Sequence, residues 1–179
     1  MLHLPLLLLP RPIFFLRRAS RVAALAGAML SSGMVGAQLI DNLDWKESEV
    51  PPPPSFSESR LVPIEMPVYM SLKFGVDPAT ISVTGDGVVR YVVVASQAGG
   101  ATNAFYEGVR CATEEVKSYA RFNNGVWTPV TNPEWKPYKL LNSRYAPALA
   151  TQGLCRGHAP RASVNEMVRM LRQPVREVE

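Results

Sequence analysis

Apolar runs alternate with turn dipeptides along the middle of the chain. Asp86-Gly87, Gly99-Gly100 and Asn124-Gly125 each separate two runs that are rich in Val, Tyr, Phe and Thr. These dipeptides favour tight reversals between strands, so the pattern indicates successive β-hairpins. It predicts an antiparallel meander of about five strands, at Thr80–Thr84, Val88–Ser96, Thr102–Ala112, Glu115–Phe122 and Val126–Val130.

The run Val88–Ala95 is apolar on both faces except at Arg90. A strand that is apolar on both faces belongs at the centre of a sheet, where other elements cover it. Two predicted helices, Ser143–Gln152 and Ser163–Arg172, supply that cover, and the second opens with a capping-box pattern. The sequence therefore predicts an α+β fold with two C-terminal helices packed on the sheet.

The segment 38–60 is first acidic and then proline-rich, and it precedes the single α+β domain that we predict for residues 61–179. Its run of prolines forces an extended backbone without a hydrogen-bonded ladder, which is typical of an arm. The arm is either a ligand for an aromatic-lined groove in a partner or a rigid strap packed on its own domain through Trp45 and Phe56. We favour the strap. The candidate partner surface comprises Trp45, Pro51, Pro52, Pro53 and Pro54.

Residues 1–37 have the pattern of a signal peptide. Arg17, Arg18 and Arg21 precede a short apolar run, and Val35-Gly36-Ala37 places small or compact side chains before a cleavage point. Cleavage after Ala37 would release a periplasmic chain that retains no stable membrane span. The alternative is an uncleaved N-terminal segment that anchors the chain in the membrane.

The formal net charge of +4 comes from this leader. Four of the 19 Lys and Arg side chains lie in residues 1–37, which leaves 15 against the 15 Asp and Glu side chains of the remainder. A neutral domain lacks the basic patch that binds a nucleic acid or an anionic membrane surface. We therefore expect no nucleic-acid partner. The expected partner is an unknown envelope protein or a small ligand.

The chain has two cysteines, Cys111 and Cys155. In an exported chain, two distant cysteines form a disulfide more often than a metal site or a redox pair, so we predict that they are bonded. An alternative is a thiol protein in which His158 lowers the pKa of a free Cys155. His158 is the only histidine after residue 37, and we predict neither a metal site nor a cofactor.

The most polar constellation lies around Glu107. On a strand, alternation places Glu107 on the same face as Asn103, with Tyr106 and Arg110 on the opposite face. A carboxyl group among apolar neighbours is either a general acid or base or one half of a buried ion pair, and we favour the ion pair. Arg90 is its predicted partner, if adjacent strands pair in register. The candidate polar site comprises Arg90, Asn103, Tyr106, Glu107 and Arg110.

Several blocks of the sequence carry a family resemblance. They are Asp44-Trp45-Lys46-Glu47, the Pro51–Pro54 run, Asp86–Val94, and Asn103–Cys111 followed by Lys117-Ser118-Tyr119-Ala120-Arg121. Together they resemble the cryptic neisserial protein-like family of exported proteobacterial proteins, over essentially the whole chain after the leader. The resemblance implies export, a single domain and paired cysteines, and it assigns no role to any residue.

Three functional hypotheses follow. The first is a non-catalytic envelope protein that binds a partner through the arm or an exposed sheet edge. The second is a small periplasmic enzyme that uses Glu107 with Arg90 or Arg110, which requires these side chains in one concave site. The third is a thiol protein that uses Cys155 and His158.

Overall fold

The computed structural model describes residues 44–97, 100 and 102–173. Eight of the strands in these residues form one antiparallel sheet. The spatial order is β1-β2-β4-β5-β6-β7, with β3 paired to β4 and β8 paired to β6. The predicted signal peptide and its uncleaved alternative lie outside the described residues. The strands are β1 (Val62–Ile64), β2 (Lys73–Val76), β3 (Ser82–Val83), β4 (Val88–Ser96), β5 (Asn103–Arg110), β6 (Glu115–Asn123), β7 (Val126–Pro129) and β8 (Lys136–Pro137).

The predicted meander is confirmed as the β4-β5-β6-β7 part of this sheet, but the predicted strand count is too low. The strand predicted at Thr80–Thr84 shortens to β3, while β1, β2 and β8 had not been predicted. The two missed strands on the far side of β4 are short, and they contain Pro63 and Gly75, which are poor strand formers. Their pairing with each other and with β4 stabilises them, and no local pattern reports such pairing.

Strand β4 lies inside the sheet, as the sequence predicts, and only its last residue is not buried. The sheet has two covered faces, which we name by what covers them. The helix face carries Val89, Tyr91 and Val93 of β4 and packs against the C-terminal helices. The arm face carries Val92 and Val94 and packs against the segment that precedes β1.

The helix face is covered by α1 (Tyr145–Leu149), which continues into a wider π-helical turn over Ala150–Leu154, and by α2 (Val164–Arg172). The first predicted helix is therefore only in part an α-helix. Gly153 lies so close to α2 that a Cβ atom there would stand 2.2 Å from Cγ of Leu171. The second helix begins as predicted, because the Ser163 hydroxyl accepts a hydrogen bond from the Glu166 backbone N–H at 3.2 Å.

A disulfide joins Cys111, directly after β5, to Cys155 at the start of the short strand β9 (Cys155–Arg156). Strand β9 pairs with β10 (Ala159–Pro160). The predicted bond is confirmed, and it ties the segment after the π-helical turn to the sheet across a sequence separation of 44 residues. Closing a loop of this length stabilises the fold by about 4 kcal/mol through the reduced entropy of the unfolded chain.

The described part of the arm, from residue 44 onwards, belongs to the same compact unit as the sheet. Phe56 packs edge-on against Phe122 and Trp127, with ring centroids 5.1 and 5.9 Å apart. The strap interpretation is therefore confirmed for these residues. Among the residues described, no helix has the length and hydrophobicity needed to cross a membrane.

Candidate functional site

A β-bulge between β5 and β6 decides which side chains meet on each face. Tyr106 pairs with Ala120, whereas Glu107 pairs with Ser118, so Tyr119 is an extra residue on β6. Tyr119 and Ala120 consequently both belong to the arm face. Ser118 stays on the helix face beside Glu107. Bulges re-aim side chains in this way, and they are frequent beside functional sites.

Glu107 lies on the helix face and is 2% exposed. Its Oε1 accepts hydrogen bonds from the hydroxyl groups of Ser118 at 2.6 Å and Tyr145 at 2.7 Å, and its Oε2 accepts one from Tyr91 at 3.3 Å. Burial raises the pKa of Glu107, and these three hydroxyl donors only partly oppose that shift. The side chain is thus an oriented, largely dehydrated carboxyl group.

Tyr145 holds its hydroxyl group in place through packing. It is the first residue of α1, and its ring stacks on Phe74 of β2 with centroids 4.5 Å apart. Burial and the neighbouring Glu107 raise the pKa of Tyr145, so its hydroxyl group remains a hydrogen-bond donor at neutral pH. Packing on Phe74 thus sets the direction from which Tyr145 donates its hydrogen bond to Glu107.

A cleft of about 340 Å³ opens above Glu107, a size that suits a small ligand. Strand β6 and the segments before and after β8 form most of its walls. Apart from Glu107, its polar lining comprises Ser118, Arg121, Thr131, Asn132, Glu134, Lys136, Asn142, Ser143 and Tyr145.

The arm face holds a different polar cluster, centred on Glu47 of the arm. Glu47 accepts hydrogen bonds from Lys117 Nζ at 2.7 Å, Tyr119 Oη at 2.6 Å and Trp135 Nε1 at 3.3 Å, and Arg90 Nη2 lies 3.4 Å away. Burial opposes ionisation, but the donors at Lys117 and Tyr119 prevail and hold the pKa of Glu47 below its usual value. Glu47 therefore anchors the arm as a charged group.

Arg90 is fully buried and links Glu47 to Asp86, whose Oδ2 lies 3.1 Å from Nη2 of Arg90. Asp86 also accepts hydrogen bonds from the Thr84 hydroxyl and from the backbone N–H of Ser48. These donors outweigh the effect of burial and hold the pKa of Asp86 far below its ordinary range. Charged groups are thus matched by opposite charges on this face.

Gly108 makes the arm-face cluster possible. A Cβ atom at this position would lie 2.5 Å from Oη of Tyr119 and 2.8 Å from Cγ1 of Val88. Only a residue without a side chain lets the Tyr119 ring cross β5 to reach Glu47. The bulge and this glycine therefore act together.

The model of the CNP1-like family matches residues 41–172 of this chain. The chain belongs to the CNP1-like family. No curated protein and no solved structure gave a match. The resemblance inferred from the sequence blocks is confirmed, and the matched range covers the described arm, the sheet and both helices.

The predicted polar site of this CNP1-like domain is divided between the two faces. Arg90 pairs across β4 and β5 with Gly108, while Tyr91 is the residue opposite Glu107. The predicted pair of Arg90 and Glu107 is therefore wrong, because a register difference of one residue points the two side chains to opposite faces.

Arg110 also lies away from Glu107. Its guanidinium group stacks over the Trp45 ring at 3.6 Å and pairs with Glu115 at 3.0 Å. Tyr106 is buried on the arm face, and Asn103 is exposed at the start of β5. An enzyme that combines Glu107 with either arginine is contradicted by this arrangement.

The thiol hypothesis is also wrong, because Cys155 is bonded to Cys111. His158 is exposed in the turn between β9 and β10. Within the described ranges there is no group of three or more His, Cys, Asp or Glu side chains that could hold a metal ion.

The candidate partner surface is half covered. Trp45 donates its indole N–H to the Asp86 carbonyl at 2.8 Å and is partly buried. Pro51 and Pro52 are exposed, whereas Pro53 and Pro54 are partly buried. A groove of about 450 Å³ runs between the Pro51–Pro53 segment and the β6–β7 edge of the sheet.

Sequence reasoning missed most partners of the buried charges. It singled out Glu107 but not Tyr91, Ser118 or Tyr145. Hydroxyl residues have no sequence motif that indicates that they donate hydrogen bonds to the same carboxyl group. Glu47 stands in the block Asp44-Trp45-Lys46-Glu47 that carried the family resemblance, and this was the one available signal for it.

Proposed function

We propose that this chain is an exported envelope protein that binds a ligand without catalysing a reaction, and that the cleft above Glu107 is its binding site. The observation that carries the proposal is an oriented, buried carboxyl group at the floor of an open cleft. Buried groups with shifted pKa values in clefts are characteristic of functional sites. The hydroxyl partners of Glu107 suit it for recognition.

Export is supported by the pattern of residues 1–37 and by the disulfide, a bond that persists in oxidising compartments. The intact mass of protein recovered from the periplasm tests this part of the proposal. We expect a chain that begins at Gln38 and is alkylated only after reduction. A retained leader or two free thiols would overturn it.

Native mass spectrometry of the periplasmic protein tests the binding site. We expect a bound small molecule that is lost in Asn142→Trp, because the indole would fill the cleft from its exposed rim. Leu140→Trp is the matched control, since Leu140 is 69% exposed and lies outside the cleft lining. Equal retention in both variants, or no bound molecule in wild type, would contradict the proposed site.

A second candidate function is the capture of an envelope protein on the surface formed by Trp45 and Pro51–Pro54. The exposed Pro51 and Pro52 beside an open groove favour it. The double variant Pro51→Ala/Pro52→Ala leaves Trp45 and Glu47 in place, so the arm stays anchored. Loss of a cross-linked envelope partner in this variant would support the second candidate, and an unchanged partner profile would oppose it.

A further inference from the structure

The cleft above Glu107 brings charged side chains of both signs together in one small space. Four charged side chains line it, namely Glu107, Glu134, Arg121 and Lys136. Within residues 44–97, 100 and 102–173, none of the four forms an ion pair. Two acidic and two basic groups thus line one small space without a direct ion pair, although Arg121 is close enough to oppose part of the rise in the pKa of Glu107.

The other two buried charged side chains of the described residues, Asp77 and Arg90, both form ion pairs. Asp77 is fully buried and forms a two-point ion pair with Arg60, with Oδ2 2.7 Å from Nη2 and Oδ1 3.2 Å from Nε. Glu47, Asp86 and Arg90 share the ion pairs of the arm face. Glu107 is therefore the one buried charged side chain of the described residues without an ion pair, whereas Arg121, Glu134 and Lys136 are exposed.

The hydrogen-bonding capacity of the cleft is also incomplete. The Ser143 hydroxyl is inaccessible to solvent and has no hydrogen-bond partner within the described residues. Glu107 accepts three hydrogen bonds, whereas an ionised carboxylate has about four acceptor positions. A polar ligand in the cleft could donate the remaining hydrogen bond to Glu107, whereas the Ser143 hydroxyl lies beneath the lining and out of its reach.

From this balance of charges we infer that the cleft binds a small zwitterion, an α-amino acid or a short peptide with free ends. The inference rests on the binding role proposed above. The ammonium group would meet Glu107 and Glu134, and the carboxylate group would meet Arg121 and Lys136. The volume of about 340 Å³ suits a ligand of this size.

Ligands of a single charge fit less well. A monoamine would compensate Glu107 but add to the positive charge of Arg121, which lines the same cleft. A monocarboxylate would compensate Arg121 or Lys136 but would add to the negative charge of Glu107 and Glu134, which line the same cleft. Only a ligand with both charges matches both sets of side chains, and charge-assisted hydrogen bonds are the stronger kind.

The test measures binding to protein purified from the periplasm. Free α-amino acids and dipeptides are screened singly by thermal shift, and each compound that raises the melting temperature is titrated by calorimetry. N-acetyl amino acids and amino-acid amides form the matched series, because each lacks one of the two charges. Neutral hexoses form a third series that carries no charge.

We expect one or more zwitterions to bind, and the N-acetyl and amide forms to bind about tenfold or more weakly. Glu107→Gln and Arg121→Gln should weaken the same ligand by a similar factor. Lys139→Gln should leave binding unchanged, since Lys139 is exposed and outside the cleft lining. Arg121 is exposed, so its variant is informative even if Glu107→Gln fails to fold.

Three results would overturn the inference, and they differ in what they say of the proposed function. Binding of a hexose, or equal binding of blocked amino acids, that Asn142→Trp abolishes would keep the cleft as a ligand site and reject the zwitterion. Absence of binding in all three series, together with no bound molecule in native mass spectra, would reject both. Zwitterion binding that survives both Glu107→Gln and Arg121→Gln would place the ligand elsewhere.

Discussion

The acidic groups on the two faces of the sheet have different partners, and their pKa values shift in opposite directions. On the arm face, Glu47 and Asp86 are matched by Arg90 and Lys117, and their pKa values are lowered. On the helix face, Glu107 has only hydroxyl partners, and burial raises its pKa. Matched charges hold an arm to a sheet, whereas an unmatched carboxyl beside an open cleft is available to a ligand.

We expect the largest loss in the free energy of unfolding from a variant that disrupts the charged cluster of the arm face. Arg90→Met removes the cation that lies between Asp86 and Glu47 and leaves two carboxylates facing each other. Loss of one partner of a buried ion pair destabilises proteins by about 3–5 kcal/mol, and we expect a loss in that range. Urea unfolding monitored by tryptophan fluorescence measures it.

Arg169→Met is the control for that variant. Arg169 lies on the exposed side of α2 and forms no ion pair within the described residues. Its effect should stay within about 0.5 kcal/mol. Equal losses in the two variants would mean that the Arg90 cluster does not stabilise the fold.

A smaller effect separates backbone shape from charge. Gly108→Ala places a methyl group against Tyr119 and Val88, and overpacking of this kind costs about 1–3 kcal/mol. Gly85→Ala is the matched control, because a Cβ atom there meets nothing within 4 Å. A Gly108→Ala protein as stable as the Gly85→Ala protein would show that Tyr119 can leave its position over β5 without loss.

Tyr145→Phe perturbs the helix face alone. The change removes a 2.7 Å hydrogen bond to Glu107 and keeps the ring on Phe74. We expect a loss of about 1 kcal/mol in the free energy of unfolding and a further rise in the pKa of Glu107. Unchanged stability together with an unchanged Glu107 pKa, followed by NMR of the side-chain carboxyl, would contradict the assigned hydrogen bond.

The finest comparison uses pH. A raised pKa means that folded Glu107 holds its proton above the ordinary value of 4.5, so its contribution to stability falls as pH rises through that window. The lowered pKa of Glu47 has the opposite sign, because its contribution is lost as pH falls below 4.5.

Urea titrations of wild type, Glu107→Gln and Glu47→Gln between about pH 3 and pH 7 measure both contributions. The stability of wild type relative to Glu107→Gln should decrease with rising pH. Its stability relative to Glu47→Gln should increase. Slopes of the same sign would remove the distinction between the two faces.

Much of the fold was predictable because it depends on local patterns. The β4 bounds, the β4–β5 and β6–β7 hairpins, and the start of α2 follow from turn dipeptides, apolar runs and a capping serine. Strands β1 and β2 were not predictable, since Pro63 and Gly75 disfavour strands and only pairing with neighbours stabilises them. The predicted helix after Ser143 is α-helical only over Tyr145–Leu149 and then widens into a π-helical turn, in which Gly153 lies against Leu171.

The candidate site was predictable only in its centre. Alternation along β5 correctly separated Glu107 from Tyr106 and Arg110, but it could not give the register of β4, which placed Tyr91 and not Arg90 beside Glu107. The bulge at Tyr119 was equally hidden, since one extra residue changes the face of every later side chain.

By itself the sequence determined the family, the α+β class, the cysteine pair and the extended proline-rich arm, because each depends on composition or on short-range pattern. Tertiary structure alone decided which charges meet. Strand register, one bulge and the absent side chain of Gly108 placed matched charges on the arm face and left Glu107 beneath an open cleft. These decisions depend on contacts between residues distant in sequence, and such contacts leave no periodic signal along the chain.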